Sequence, residues 1–192
     1  MEISLALKEL APYIAAAVAM VWMAVCAFFD QKNHEVPTPL TLAATIIVIL
    51  LLLVEKSFLL AGFVVASYLI GDISKKAISV PLAIAISLAA SALMLKMGYP
   101  VEEAVKAVFI LIFWMIWRFE KIGGADSNIL IAITLLFGVG AATITVVVGG
   151  IVATSVYLKK RNKEQKANPM ILFYAVGLAV YFIVHLGIGG FI

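Results

Sequence analysis

Long apolar runs with few charged residues follow one another through this chain and limit the folds that it can adopt. A helix needs about 20 mostly apolar residues to cross the hydrocarbon core of a bilayer. Hydrophobic residues make up 65% of the 192 and charged residues 13%, whereas soluble domains have roughly one half and one quarter. The sequence therefore predicts an all-α polytopic membrane helical bundle with about eight transmembrane helices, six or seven being the alternative. We expect a single integral-membrane domain over residues 1–192.

Prolines, glycines or charged residues separate the apolar runs. The predicted spans are residues 11–29, 38–54, 57–72, 79–96, 102–118, 126–138, 140–158 and 169–190. Gly138 and Gly140 favour two separate helices over one long helix at 126–158, because glycine weakens a helix interior.

The distribution of basic residues predicts the orientation, because cytoplasmic loops are enriched in Lys and Arg. With eight spans and an external amino terminus, the inner loops hold ten of the 14 basic residues and the outer loops hold four. The inner ones are Lys32, Lys75, Lys76, Arg118, Lys121, Lys159, Lys160, Arg161, Lys163 and Lys166, and the outer ones are Lys8, Lys56, Lys96 and Lys106. Fusing residues 126–158 into one span would place the basic loop at 159–166 outside, so the charge pattern also favours two spans.

Two aspartates stand at the ends of apolar runs, on the same predicted cytoplasmic boundary. Asp30 closes the first run, and Asp126 opens the sixth directly after Gly123 and Gly124. Carboxylates at such positions usually face a polar site rather than lipid. Two carboxyl groups that share one proton can hydrolyse a peptide, one activating a water and the other donating to the scissile carbonyl oxygen. We therefore interpret Asp30 and Asp126 as a catalytic pair.

The residues around the two aspartates carry a resemblance to a known family. Asp30, followed by Val36 and Pro37 and then by Leu40 and Thr41, resembles the first motif of the type IV prepilin peptidases. Residues 123–126, Gly-Gly-Ala-Asp, resemble the GxGD motif of the same membrane aspartyl proteases. The small size resembles the archaeal branch, the preflagellin and prepilin peptidases.

Three residues depart from the family pattern. Thr38 replaces an asparagine, Ala125 replaces the second glycine of GxGD, and Asn128 stands where a lysine is usual. The two aspartates are separated by 126 − 30 = 96 positions, more than is usual in the family. Four predicted spans between them still keep both on one side of the membrane.

The resemblance implies an activity, a substrate and a location. The protein would remove the basic class III leader peptide from type IV pilin-like or archaellin precursors, at the cytoplasmic face of the plasma membrane. Asp30 and Asp126 would be the catalytic residues, and the partners would be the precursor and membrane lipid. We expect no cofactor, no metal and no nucleic acid.

Other residues near the predicted site are candidates for binding the substrate. Gly123, Gly124 and Ala125 would let the backbone approach a substrate strand closely. Glu35, Glu120 and Asp72 are acidic residues on the predicted cytoplasmic edge that could orient a basic leader. These and other singled-out residues also have purely structural interpretations.

Those interpretations make Asp126 a helix N-cap and Asp72 a helix-end residue. His34 is then an exposed loop residue and His185 a packing residue. Trp22, Trp114 and Trp117 are interpreted as packing or interface aromatics, and the lone Cys26 excludes an internal disulfide.

Two other functions stay open. One is a broader GxGD intramembrane protease that acts on other membrane peptides. The other is a small transporter or channel whose membrane carboxylates carry protons or cations. Glycines at 71, 138 and 149–150 would fit the broken helices of a transporter, whereas two carboxylates at one edge favour the peptidase.

Overall fold

The computed structural model describes residues 2–33, 35–71, 73, 75–120, 122–159 and 170–188. His34, Asp72 and Lys121, and the basic residues from Lys160 to Lys166, lie outside the described residues.

Helices account for nearly all of the described chain, which confirms the all-α prediction. The described residues form seven helices. They are α1 (Glu2–Asn33), α2 (Thr38–Val54), α3 (Phe58–Gly71), α4 (Lys76–Lys96), α5 (Val101–Arg118), α6 (Gly124–Lys159) and α7 (Met170–Ile188).

The described residues form seven helical elements and not eight, which agrees with the alternative of six or seven, because α6 continues across the predicted boundary at Gly138. The predicted spans 126–138 and 140–158 belong to one helical element, Gly124–Lys159. Its backbone is interrupted at Gly138, where φ is 83° and ψ is 174°. Positive φ in this region favours glycine, so the break falls at the residue that the sequence marked. Helical structure resumes directly after it, and the two segments therefore form one element with a kink.

Among the described residues, three helices are long and apolar enough to cross a membrane. They are the segments Tyr13–Asn33, Lys76–Lys96 and Gly124–Val156, and the shorter apolar helices are Thr38–Val54, Phe58–Gly71 and Met170–His185. Every helix also exposes large apolar side chains, such as Val21, Leu50 and Ile183. Such surfaces would aggregate in water but suit lipid. The three long apolar helices indicate a multi-pass membrane protein.

The chain forms two compact units. The terminal unit consists of Met1–Pro37 and Thr143–Ile192, and the central unit is Thr38–Ala142. The expectation of one domain over 1–192 stays a prediction.

In the terminal unit, α1 packs against α7. Met23 and Cys26 of α1 and Leu178 of α7 are fully buried. The second segment of α6 approaches α7 closely through glycine: a Cβ at Gly177 would lie 2.5 Å from the carbonyl oxygen of Thr145. Small residues let helix backbones meet closely in a membrane.

In the central unit, α3 packs against α2, α4 and α5, and α4 packs against α5. Serine hydroxyls join neighbouring helices. Ser91 of α4 donates to the carbonyl oxygen of Ala104 at 3.2 Å, and Ser127 of α6 donates to that of Phe113 on α5 at 3.2 Å. Interhelical hydrogen bonds of this kind contribute to helix association in lipid.

Candidate active site

Asp126 lies in the first turn of α6 and its side chain is half-buried. The backbone N–H of Gly123 donates to Asp126 Oδ2 at 3.2 Å, and the N–H of Ser127 donates to the carbonyl oxygen of Gly123 at 3.1 Å. Gly123 is therefore the N-cap residue, and Asp126 reaches back to it as the acidic residue of a capping box does. A helix starts here as the sequence predicted, but the interpretation of Asp126 as its N-cap is wrong, because Asp126 is the third residue of α6.

The residues before Asp126 are small for steric reasons. A Cβ at Gly123 would lie 3.0 Å from Asp126 Oδ2, and a Cβ at Gly124 would lie 3.3 Å from the indole nitrogen of Trp117. Gly123 thus lets the backbone approach Asp126 closely, and Gly124 lets it approach Trp117. Ala125 is helical, a conformation in which an L-residue is unstrained, so its methyl group is accommodated.

Asp30 lies in the last turn of α1 and is half-buried in the terminal unit. Its Oδ2 accepts a hydrogen bond from the backbone N–H of Ile171 at 3.2 Å, at the beginning of α7. An anion is unfavourable at the C-terminus of its own helix but favourable at the N-terminus of another. The contact with α7 therefore gives Asp30 a defined position.

The structure places Asp30 in the terminal unit and Asp126 in the central unit. Each carboxylate is held by a backbone N–H within its own unit. Their pairing, on which the catalytic interpretation depends, stays a prediction.

Of the acidic residues expected to orient a leader peptide, Glu35 is exposed directly after α1. Glu120 forms an ion pair with Lys76, with Nζ 2.7 Å from Oε1. The hydrogen bond and the charge of Lys76 lower the pKa of Glu120 below its ordinary value. The third, Asp72, lies outside the described residues. Glu120 thus has a cationic partner within the chain, and its role with substrate stays a prediction.

The connections α3–α4 and α5–α6 lie at the same end of the central unit. Besides the Lys76–Glu120 pair, Arg118 at the end of α5 donates to Ser79 Oγ at 3.1 Å and to the carbonyl oxygen of Ile73. Asp126 lies in the first turn of α6 at this end. The end of the unit near Asp126 therefore carries a network of polar contacts.

A cavity of about 190 Å³ lies in the central unit beside the start of α6. Its lining consists of Leu42, Val64, Ser67, Tyr68, Ile110, Trp114, Trp117, Gly124, Ser127, Asn128 and Ile131. Three of these residues are chain neighbours of Asp126: Gly124, Ser127 and Asn128. This cavity was not predicted, because its walls come from four helices that are distant in the chain.

A chain of polar side chains borders the cavity. The Tyr68 hydroxyl donates to Asn128 Oδ1 at 2.9 Å, and its oxygen lies 3.2 Å from Thr45 Oγ1. Asn128, which replaces the lysine usual in the resembled family, thus connects α6 to α3. Trp114 had been interpreted as a packing aromatic, and it is buried, but its indole N–H finds no acceptor among the described residues.

His185 and Cys26 lie in surroundings that indicate packing roles. His185 stacks on Tyr181 one turn earlier in α7, with ring centroids 5.2 Å apart. Cys26 is buried as a free thiol. Within the part of the chain that the structure describes, no three His, Cys, Asp or Glu side chains are grouped so as to hold a metal ion.

Fold and site together define a multi-pass helical membrane protein with carboxylates fixed at helix ends. No family model matches the chain, and comparisons with curated proteins and with solved structures find no match either.

Proposed function

We propose that this protein is a membrane-embedded aspartyl endopeptidase. It removes the basic leader peptide from type IV pilin-like or archaellin precursors at the cytoplasmic face of the plasma membrane. The observation that carries the proposal is the placement of Asp126. Its carboxylate is fixed by the N–H of Gly123 at the start of a helix, and its chain neighbours line a cavity able to hold part of a substrate.

The proposed chemistry needs Asp30 and Asp126 to share one proton. Two carboxyl groups close enough to share a proton do not both ionise. The ionised one activates a water as general base, and the protonated one donates to the scissile carbonyl oxygen. Two carboxyl groups that share a proton titrate as a pair and not one by one.

Cleavage of a purified precursor tests the proposal. The protein, reconstituted in lipid, is mixed with a pilin or archaellin precursor, and the product is identified by mass spectrometry. We expect the intact chain to cleave, and Asp30→Asn and Asp126→Asn each to abolish cleavage. Glu55→Gln, which changes an exposed carboxylate beyond α2, should leave the rate unchanged, as should a chelator. Activity that survives either Asp variant would exclude the pair.

A cross-linking experiment tests the convergence of the two aspartates directly. In a Cys26→Ala background, Asp30→Cys and Asp126→Cys are combined, and a short bifunctional thiol reagent is added. We expect an intramolecular cross-link between the terminal and central units, detected by mass spectrometry after proteolysis. Asp30→Cys with Glu55→Cys is the control pair and should stay unlinked. Equal yields from both pairs, or none from the first, would contradict the convergence.

A transporter or channel is the second candidate, because of a feature at the other end of α5. Lys106 lies 3.0 Å from Glu103 Oε1 and 3.5 Å from Glu102 Oε1, and the side chains of Lys106 and Glu103 are largely buried. Glu102 Oε1 also lies 2.8 Å from the position of a Cβ at Gly138, where the α6 backbone is interrupted. Broken helices beside ionisable groups occur at transport sites.

Proton flux across the membrane of proteoliposomes tests this second candidate. A pH-sensitive dye inside the vesicles should report a flux that Glu103→Gln abolishes and Glu55→Gln preserves. If the protein cleaves precursors but its vesicles show no proton flux, the transporter is excluded and the peptidase remains.

A further inference from the structure

Polar contacts between connecting segments mark both ends of the central unit. At one end, the exposed ion pair of Lys76 and Glu120 joins the start of α4 to the segment after α5. At the other end, the Tyr99 hydroxyl, between α4 and α5, donates to the carbonyl oxygen of Lys56, between α2 and α3, at 3.3 Å. Exposed charges and irregular backbone suit water or lipid headgroups and not hydrocarbon. The apolar helices of this unit therefore lie between two polar ends.

The helix α3 connects these two ends and is short. It begins two residues after Lys56 and ends at Gly71, shortly before Lys76. Its 14 residues give a helix length of about 21 Å at a rise of 1.5 Å per residue. The hydrocarbon core of a typical bilayer is about 30 Å thick. A tilt would lower the height of the helix further, so α3 falls well short of that thickness.

The helix α2 has a similar height and an apolar surface that suits lipid. Its 17 residues are about 26 Å long. The side chains of Ile47, Leu50 and Val54 are exposed along it, and the exposed Glu55 follows directly. A carboxylate is unfavourable in hydrocarbon, so the apolar surface of α2 ends at this residue.

Charged residues limit the apolar stretch of α5. The side chain of Glu102, in its first turn, is 62% exposed, and Arg118 is its last residue. The Cα atoms of these two residues are about 24 Å apart along the helix. Because an exposed carboxylate belongs outside the hydrocarbon, this distance is an upper limit for the apolar height of α5.

The longer helix α4 is compatible with the same height. Its 21 residues are about 32 Å long, and it begins at Lys76 and ends at Lys96. Lysine side chains near helix ends extend along the helix and place their ammonium groups at the interface. A tilt reduces the height of the apolar part as well. The lengths of α2, α3 and α5 therefore set the limit for the unit.

We infer that the central unit fits a bilayer with a hydrocarbon core about 21–26 Å thick, thinner than the usual core of about 30 Å. Ordinary lipid must compress beside this unit, whereas lipid with shorter acyl chains covers its apolar surface without compression. Mismatch costs free energy with each ångström, so a thin bilayer should stabilise the fold. The inference rests on helix lengths and charged positions and does not depend on the proposed peptidase.

Unfolding in bilayers of graded thickness tests this match. The full chain with Trp22→Phe retains two tryptophans, Trp114 and Trp117, both in the central unit, so its fluorescence reports on that unit. It is reconstituted in dimyristoleoyl-, dioleoyl- and dierucoyl-phosphatidylcholine, whose bilayers thicken in that order. We expect the thermal midpoint to be highest in the first lipid and lower by roughly 3–6 °C in the last. Equal midpoints, or the highest midpoint in the thickest bilayer, would overturn the inference.

A spin label on α5 measures the local thickness. Val105 is 38% exposed and lies about 20 Å along the helix from Arg118. It would therefore lie about 10 Å inside a core of usual thickness, but close to the headgroups in the thin one. In a Cys26→Ala background, the label at Val105→Cys should collide with a water-soluble nickel chelate in dioleoyl-phosphatidylcholine. The label at Ile112→Cys, equally exposed near the middle of α5, is the control and should be protected.

Either measurement alone can overturn the inference. If the labels at Val105→Cys and Ile112→Cys are equally protected from the chelate, the bilayer beside α5 has its usual thickness. Neither measurement needs a precursor, so a protein that cleaves nothing but shows both expected results would retain the thin-bilayer match and lose the peptidase. Cleavage with midpoints that do not depend on acyl-chain length would do the reverse.

Discussion

The backbone N–H of Gly123 donates a hydrogen bond to Asp126 Oδ2 across 3.2 Å, and the same oxygen lies 3.0 Å from the place where a Cβ at residue 123 would stand. Glycine at this position therefore holds the proposed catalytic carboxylate and leaves room for it. A side chain there would force Asp126 to move.

Gly123→Ala is expected to reduce precursor cleavage about ten-fold, because small misplacements of a reacting group lower rates strongly. The change in kcat, measured on the reconstituted protein, is the readout. Gly62→Ala is the control, since a Cβ at this α3 glycine meets no atom within 4 Å. A Gly123→Ala protein with unchanged kcat would show that the contact does not position Asp126 for catalysis.

The hydrogen bond from Tyr68 to Asn128 is expected to stabilise the central unit by about 1 kcal/mol. Tyr68→Phe should lower the free energy of unfolding by about that amount. Asn128→Leu should lower it by more, since the Tyr68 hydroxyl then loses its acceptor in a part-buried place. A double-mutant cycle with chemical unfolding in detergent measures the coupling energy. A value near zero would mean that lipid or water replaces the bond without loss.

Gly177→Ala is expected to destabilise the terminal unit by roughly 1–3 kcal/mol, the range for overpacked sites. The new Cβ would lie 2.5 Å from the Thr145 carbonyl oxygen, which is backbone and cannot turn aside. Gly150→Ala, where a Cβ meets nothing within 4 Å, should instead be neutral or slightly stabilising, as Ala favours helix. Thermal unfolding of both variants in the same detergent makes the comparison, and equal midpoints would contradict it.

The Lys76–Glu120 pair is expected to make a small, pH-dependent contribution to stability. Lys76 lowers the pKa of Glu120 in the folded protein, so the contribution is present above the ordinary Glu pKa and disappears as the pH falls through the lowered value. Because Glu120 is exposed, salt should weaken the pair. Lys76→Ala should therefore lower the unfolding midpoint slightly at neutral pH and low salt.

At a pH below the lowered pKa of Glu120, the midpoints of Lys76→Ala and the unchanged protein should coincide. Lys75→Ala, at the exposed neighbouring position, is the control and should show no pH-dependent difference. A Lys76→Ala deficit that persists in acid would point to a role for Lys76 other than the ion pair.

Apolar runs predicted the central helices closely because there the hydrophobic stretch and the helix coincide. The expected span 38–54 is α2, and 102–118 differs from α5 by one residue. The length of the amino-terminal helix was underestimated, because the expected span began at residue 11, whereas α1 begins at Glu2. Hydropathy detects the part of a helix that suits lipid, and charged residues such as Glu2 and Lys8 favour helix without being apolar.

Local features of the site were visible in the sequence, but contacts between distant segments were not. The Gly-Gly-Asp pattern predicted a helix start close to the observed one, because capping depends on neighbouring residues, but it assigned the N-cap to Asp126 and the structure assigns it to Gly123. The Lys76–Glu120 pair joins residues 44 positions apart, and no spacing rule indicates it. The cavity beside Trp114 likewise depends on how four helices pack, so the sequence indicated Trp114 and Trp117 only as packing or interface aromatics.

The close approach of α6 and α7 at Gly149 and Gly177 has a consequence for how the protein meets its bilayer. A Cβ at Gly149 would lie 2.9 Å from the carbonyl oxygen of Phe173, so backbone meets backbone at both glycines. Lipid tails and bulky apolar side chains are equally apolar, so the tails can compete with such side chains for contact with a helix surface. Lipid tails cannot enter so narrow a contact between α6 and α7. Steric exclusion thus keeps acyl chains out of this contact, whatever the length or saturation of the surrounding lipids.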